Sequence, residues 1–153
     1  MNKSKYIDYN NSLNWLLIGN NMKVVEVMTS RVVTVDMDDR IPVLQNILSQ
    51  AGFHHLLVVE EGKLQGVISD RDLLRTLSPF LDTEIESARD SATAQRPAHQ
   101  VMTRSPIVVD PNTSVKEALS LMLMHDISCL PVLDGDDIVG IFTIHDGVRS
   151  LIQ

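Results

Sequence analysis

Residues 24–77 and 98–151 of this chain align with each other without a gap, at a displacement of 74 residues. Identical pairs run the length of the match: Val27/Val101, Met28/Met102, Thr29/Thr103, Val35/Val109, Asp36/Asp110, Leu56/Leu130, Val58/Val132, Gly66/Gly140, Asp72/Asp146, Arg75/Arg149 and Leu77/Leu151. Each copy closes on the same skeleton, Gly66-Val-Ile-Ser-Asp-Arg-Asp72 in the first and Gly140-Ile-Phe-Thr-Ile-His-Asp146 in the second. Repetition constrains architecture more tightly than local propensity does, because each unit must bury its apolar face against the other. A unit of about 50 residues is too small to bury a sheet alone.

The apolar spacing within a copy predicts a β-α-β-β-α order. A turn ending in Met-Thr leads to a β-branched run, Val32–Val35 or Ile107–Val109. Apolar positions 41, 44, 47, 48 and 51, and 115, 118, 119 and 122, then recur at helical intervals. Ser114 with Glu117 has the form of a capping box at the start of the second of these helices. Strands over Leu56–Val59 and Leu64–Ser69, and over Leu130–Leu133 and Ile138–Thr143, are joined by turns at Gly62 and Gly135. A last short helix starts near Asp70 or Ile144. The expected organisation is an N-terminal extension (1–21), repeat 1 (22–77), a linker with a short helix (78–97) and repeat 2 (98–153). In fold class this is α+β, with mixed helix and strand in both copies.

Charge and composition restrict the function. The 153 residues carry a formal net charge of −7, with 44% hydrophobic and 22% charged residues. Only residues 1–23 have a basic excess, three lysines against one aspartate, which is too little for a nucleic-acid arm. No apolar run approaches the roughly 18 residues of a membrane span, and no signal-peptide core is present. A lone cysteine, Cys129, excludes an internal disulfide and fits a reducing compartment. A cytoplasmic protein without nucleic-acid or membrane partners is expected. Leu13, Trp15, Leu16, Leu17 and Ile18 in the extension favour packing on some surface.

The repeated ending has chemistry of its own. A strand finishing in Ser69 or Thr143 presents a hydroxyl beside the first amides of the next helix, where partial positive charge and unpaired N–H groups suit a phosphate. An aspartate three residues on can accept from vicinal ribose hydroxyls. The same [Ser/Thr]-x-x-Asp pattern is also a helix cap, and the two readings are compatible. Arg71 is the cation best placed to reach a phosphate in the first motif, and His145 takes its position in the second. Other constellations carry less. His54 and His55 are adjacent on a strand and point to opposite faces, so they do not chelate one ion. Asp134, Asp136 and Asp137 lack the remaining ligands of a calcium loop and read as a solvated turn. No nucleophile–base pair is visible, so no enzyme and no metal site are expected.

The Met-Thr turns, the stretches LLVVEEGKLQGVISDRDLL and CLPVLDGDDIVGIFTIHDGV, and the doubled Gly-x-x-[Ser/Thr]-x-x-Asp ending resemble paired CBS domains, the Bateman module, over residues 22–152. The resemblance implies two sheets packed with pseudo-twofold symmetry and a cleft between the copies. Such clefts take AMP, ADP, ATP, S-adenosylmethionine or NAD, with no covalent cofactor, and such modules often form homodimers. It assigns nucleotide binding to Ser69, Asp72, Thr143 and Asp146, with Arg71 and His145 beside them. It places His54, His55, Ser128 and Cys129 near the cleft, and Thr34, Val35, Val108 and Val109 around the adenine. Leu57 departs from its counterpart Pro131, and Gly147 from Leu73, so the two clefts are unequal. The implied role is a sensor of an adenosyl compound that signals through a partner protein or a dimer. The competing reading is a ligand-free dimerisation or scaffold module whose motifs are only caps.

Overall fold

The computed structural model describes residues 22–152, and the extension expected over residues 1–21 lies outside the described residues. The first pass runs α1 (Val24–Val27), β1 (Thr34–Asp36), α2 (Ile41–Ala51), β2 (His55–Glu60), β3 (Lys63–Ser69) and α3 (Asp70–Thr76). Helix α4 (Ala88–Ala94) lies in the connection. The second pass runs α5 (Ala98–Val101), β4 (Thr103–Arg104), α6 (Val115–His125), β5 (Cys129–Asp134), β6 (Asp137–Thr143) and α7 (Ile144–Ile152).

Helix α2 buries Ile41, Leu44 and Leu48, starts with a proline in its first turn, and stops where Gly52 turns left-handed at φ 66°. That conformation costs glycine little, because no Cβ meets the following carbonyl. Helix α6 buries Val115, Ala118 and Met122 and ends at Asp126, also left-handed at φ 52°. Its expected capping box is half made. Ser114 Oγ accepts from Glu117 N at 3.2 Å, while the next amide, Val115 N, donates to Met22 O at 2.9 Å.

In the first sheet the order is β1-β2-β3-β4, with β1 parallel to β2 and the other pairs antiparallel. The second sheet consists of the β5–β6 hairpin. Single bridges Val109↔Val132 (parallel) and Thr29↔Ile141 (antiparallel) stand where the first sheet has β1 and β4. The strand expected over Ile107–Val109 is therefore a single bridge, held by Val109 N→Pro131 O at 3.1 Å and Leu133 N→Val109 O at 3.0 Å. Pro106 and Pro111 flank it, and a residue without an N–H cannot extend a ladder.

The leading segment of each copy completes the other copy rather than its own. Strand β4, from the second Met-Thr stretch, pairs with β3, as Gly66↔Arg104 and Val67↔Thr103. Thr29, from the first Met-Thr stretch, exchanges two 3.0 Å backbone bonds with Ile141 of β6. The cores follow the same exchange. Ala98 and Met102 are buried with Ile41, Leu44, Leu56 and Ile68, while Val24 is buried with Val115, Met122, Leu130 and Phe142. The repeated glycine is explained here. A Cβ on Gly66 would lie 2.5 Å from Met102 Sδ and 2.8 Å from Thr103 O, and one on Gly140 would lie 2.6 Å from Met28 Sδ. Leu57, Val67, Cys129 and Ile141 form a third buried cluster that joins the two sheets.

Candidate functional site

Residues His55 and Ser69 pair at the open end of the first hairpin, and Cys129 and Thr143 pair at the open end of the second. These two ends converge on one cavity of about 640 Å³. Repeat 1 contributes Phe53, His54 and His55 from the approach to β2, and Ser69, Asp70 and Arg71 from the β3–α3 junction. Repeat 2 contributes Ser128 and the run Thr143–Asp146, with Arg149 one turn further along α7. The volume falls within the range of about 300–1,000 Å³ common to small-molecule sites.

Both hydroxyl–aspartate motifs are fully formed caps. Asp72 Oδ2 accepts from Ser69 N at 2.8 Å and from Ser69 Oγ at 2.6 Å, while Asp72 N donates to Ser69 Oγ at 3.2 Å. Asp146 Oδ2 accepts from Thr143 N at 2.9 Å and from Thr143 Oγ1 at 2.7 Å, while Asp146 N donates to Thr143 Oγ1 at 3.2 Å. Among the described residues only Oδ2 of each carboxylate is engaged, so Oδ1 keeps its acceptor capacity. The motifs differ in placement. Asp146 is buried and lines the cavity, whereas Asp72 is half-buried and does not.

Two histidines organise the repeat 1 side. His54 Nδ1 lies 2.9 Å from Asp70 Oδ2, and this hydrogen bond holds the Asp70 carboxyl below its ordinary range. His55 Nε2 lies 3.1 Å from Ser128 Oγ and so ties one repeat to the other across the cavity. Burial pushes the His55 pKa down, leaving a neutral ring at neutral pH that donates to or accepts from the Ser128 hydroxyl according to its tautomer.

Of the residues singled out from sequence, His54, His55, Ser69, Arg71, Ser128, Thr143, His145 and Asp146 line the cavity. Thr34, Val35, Asp72, Val108, Val109 and Cys129 do not. Val35 and Val109 sit one in each core, and Thr34 and Val108 are exposed. Cys129 is buried in the cluster between the sheets, where desolvation pushes its thiol up to about 12. Arg149, which appears in the sequence only as the repeat partner of Arg75, also lines the cavity. It follows His145 by four residues, so both share a helical face, and that spacing was the available signal. Thr29, Ile141 and Phe53 were also missed, and Thr29 reaches the cavity only because the leading segments are exchanged. Among the described residues no cluster of three or more His, Cys, Asp or Glu side chains is placed to hold a metal ion. No helix there is long and apolar enough to cross a membrane.

The family model for the CBS domain matches residues 24–79 and 98–152. The chain is 33% identical over 124 residues to the CBS domain-containing protein YhcV of Bacillus subtilis, covering 80% of this chain and 81% of that one. Among solved structures, CBSX2 in complex with AMP superposes with a TM-score of 0.71 at 30% identity, over 86% of this chain and 97% of that one. The CBS domain pair of MJ0100, in complex with 5′-methylthioadenosine and S-adenosyl-L-methionine, superposes with a TM-score of 0.70 at 25% identity, over 84% and 94%. The matched hairpins, the exchanged leading segments and these likenesses give one conclusion: the chain belongs to the CBS-domain family and carries two such domains in tandem.

Proposed function

We propose that the shared cavity binds an adenosyl compound and that its occupancy is read by a partner protein or by a second copy of the chain. The observation that carries this reading is the convergence of both motif junctions on one cavity of about 640 Å³. Structural neighbours hold AMP, 5′-methylthioadenosine and S-adenosyl-L-methionine, which makes the adenosyl group the shared chemistry. Asp146 Oδ1 is the acceptor for ribose hydroxyls, and the first turn of α7 supplies amide donors for an anionic group. Arg71 and Arg149 supply positive charge from opposite repeats, so a phosphate between them links the two. Their presence together improves the prospects of a nucleotide over those offered by Arg71 alone. A ligand touching both repeats shifts their relative packing by as much as its affinities for the two packings differ. That shift is the signal, and no catalytic step is involved.

One observation favours the scaffold reading, in which no ligand binds. Each aspartate already accepts two hydrogen bonds as a cap, which accounts for its presence without any ligand. Calorimetric titration of ligand-free protein with AMP, ADP, ATP, S-adenosylmethionine and NAD separates the two, set against Asp146→Asn and Asp72→Asn. The sensor reading expects saturable binding that Asp146→Asn abolishes and Asp72→Asn leaves in place, with both variants folded. Absence of heat with every compound would leave the scaffold reading standing.

A further inference from the structure

Three of the chain's five histidines, His54, His55 and His145, line the shared cavity. The other ionisable side chains of its wall cancel in formal charge, Arg71 and Arg149 against Asp70 and Asp146. The histidines therefore decide the sign of the cavity, because histidine ordinarily changes charge between about pH 5 and 8. The three are not equivalent. His54 is exposed and lies 2.9 Å from Asp70 Oδ2, so a proton on it is already matched by a carboxylate. Among the described residues neither His55 nor His145 has a carboxylate at ion-pair distance. His145 stands at the repeat position that Arg71 holds in the first copy, about one helical turn before Arg149. Repeat 1 thus supplies a fixed cation where repeat 2 supplies a titratable one.

We propose that the cavity takes up a proton together with an anionic nucleotide, and that His55 and His145 receive it. This rests on the reading of the cavity as an adenosyl site and adds what the site selects: a ligand bearing a phosphate, held more tightly as pH falls. A phosphate beside Arg71 and Arg149 brings negative charge that the other groups of the wall do not balance, and a nearby anion favours the protonated form of a histidine. Burial holds the His55 ring below the ordinary histidine range, against the pull of Asp70 and Asp72 and with a push from His54. On the repeat 2 side the ionisable groups of the wall are His145, Asp146 and Arg149. His145 is exposed, with Asp146 and Arg149 on its own helix and Asp70 and Arg71 contributed by repeat 1. The His55 proton is passed on through Ser128. His55 Nε2 lies 3.1 Å from Ser128 Oγ. Once protonated, Nε2 can only donate, so Ser128 Oγ accepts and its hydroxyl proton is free to donate to a phosphate oxygen. One proton from solvent therefore adds positive charge and frees a donor for the anion.

Calorimetry of AMP binding in buffers of different ionisation enthalpy measures the protons taken up, with 5′-methylthioadenosine as the uncharged probe. Near neutral pH, AMP binding should take up a measurable fraction of a proton and tighten severalfold from about pH 8 to about pH 6.5, because the bound state holds more protons. 5′-Methylthioadenosine should bind with no uptake and a flat pH profile. In His55→Gln/His145→Gln the uptake should vanish, leaving AMP affinity at its alkaline level throughout. His145→Arg should tighten AMP binding at alkaline pH and reduce the uptake, and it decides the matter should the double variant fail to fold. AMP binding without proton uptake would overturn the inference, as would undiminished uptake in these variants or equal uptake with 5′-methylthioadenosine. Each of those results leaves the adenosyl reading intact. Failure of both compounds to bind at any pH would overturn that reading and the inference with it.

Discussion

Repeats 1 and 2 carry one motif at two depths. In α3 the residue after the motif aspartate is Leu73, 2% exposed, which enters the first core and leaves Asp72 half-buried to the side of the cavity. In α7 that position is Gly147, and a Cβ there would lie 2.5 Å from Leu119 Cδ2. With no side chain at Gly147, α6 closes on α7, and Asp146 is buried at the cavity wall. The caps have nearly the same hydrogen bonds in both copies, so cap geometry does not set the two aspartates apart. The residue that follows each in sequence differs along with its depth, Leu73 after the half-buried Asp72 and Gly147 after the buried Asp146.

The largest effects should come from the matched core pair Ile68 and Phe142, both fully buried. Phe142→Ala should lower stability by about 3–5 kcal/mol and Ile68→Ala by about 2–5 kcal/mol. In either variant both repeats should unfold in one transition, because each core contains the other copy's leading segment. Two separate transitions in denaturant, followed by circular dichroism and calorimetry, would break that expectation. Next come the glycines, with Gly66→Ala costing more than Gly140→Ala, both within about 1–3 kcal/mol. The carbonyl of Thr103 lies 2.8 Å from the Cβ position in the first and that of Thr29 3.0 Å in the second, and backbone yields less readily than a methionine side chain. Equal midpoints for the two variants would show that the exchanged segments are equally tight.

Removing a cap hydroxyl, Ser69→Ala or Thr143→Ala, should cost about 1 kcal/mol in each repeat. A clearly larger loss in one of them would mark unequal caps. The pH response should then tell the repeats apart through His55 and its counterpart Cys129. The folded His55 pKa lies below 6.5, so the unfolded chain takes up that proton first. Its contribution to stability is present above pH 6.5 and is lost as pH falls through 6.5 toward the folded value. Cys129, raised from 9.0 to about 12, acts in the opposite direction, and its contribution fades as pH rises above 9.0. Melting temperatures of wild type and His55→Gln from pH 8 to pH 5 check the acid side, where the variant should show the flatter profile. The smallest change is expected for Gly147→Ala. A helix-propensity gain of about 1 kcal/mol opposes the displacement of Leu119, so the two nearly cancel. A large change of either sign would show that α6 and α7 are packed more loosely, or more tightly, than Leu119 indicates.

The sequence by itself determined the repeat, the strands of both hairpins to within a residue, the helices α2 and α6, and the doubled hydroxyl–aspartate ending. These features depend on spacing along the chain: periods of two and of 3.6, glycine at a left-handed turn, and a hydroxyl three residues before an acid. The same local pattern also brought Ser69, Arg71, Thr143, His145 and Asp146 into consideration, and the family resemblance added His54, His55 and Ser128; all of these line the cavity. Tertiary structure alone decided which copy each leading segment serves, why Gly66 and Gly140 are glycines, and that Arg149 and Thr29 reach the cavity while Asp72, Cys129 and the valines do not. The physical reason is the exchange itself. Met28 and Met102 stand at the start of their own repeats in sequence, yet they pack across Gly140 and Gly66 of the other repeat. A contact between residues this far apart leaves no period in the chain from which it can be read.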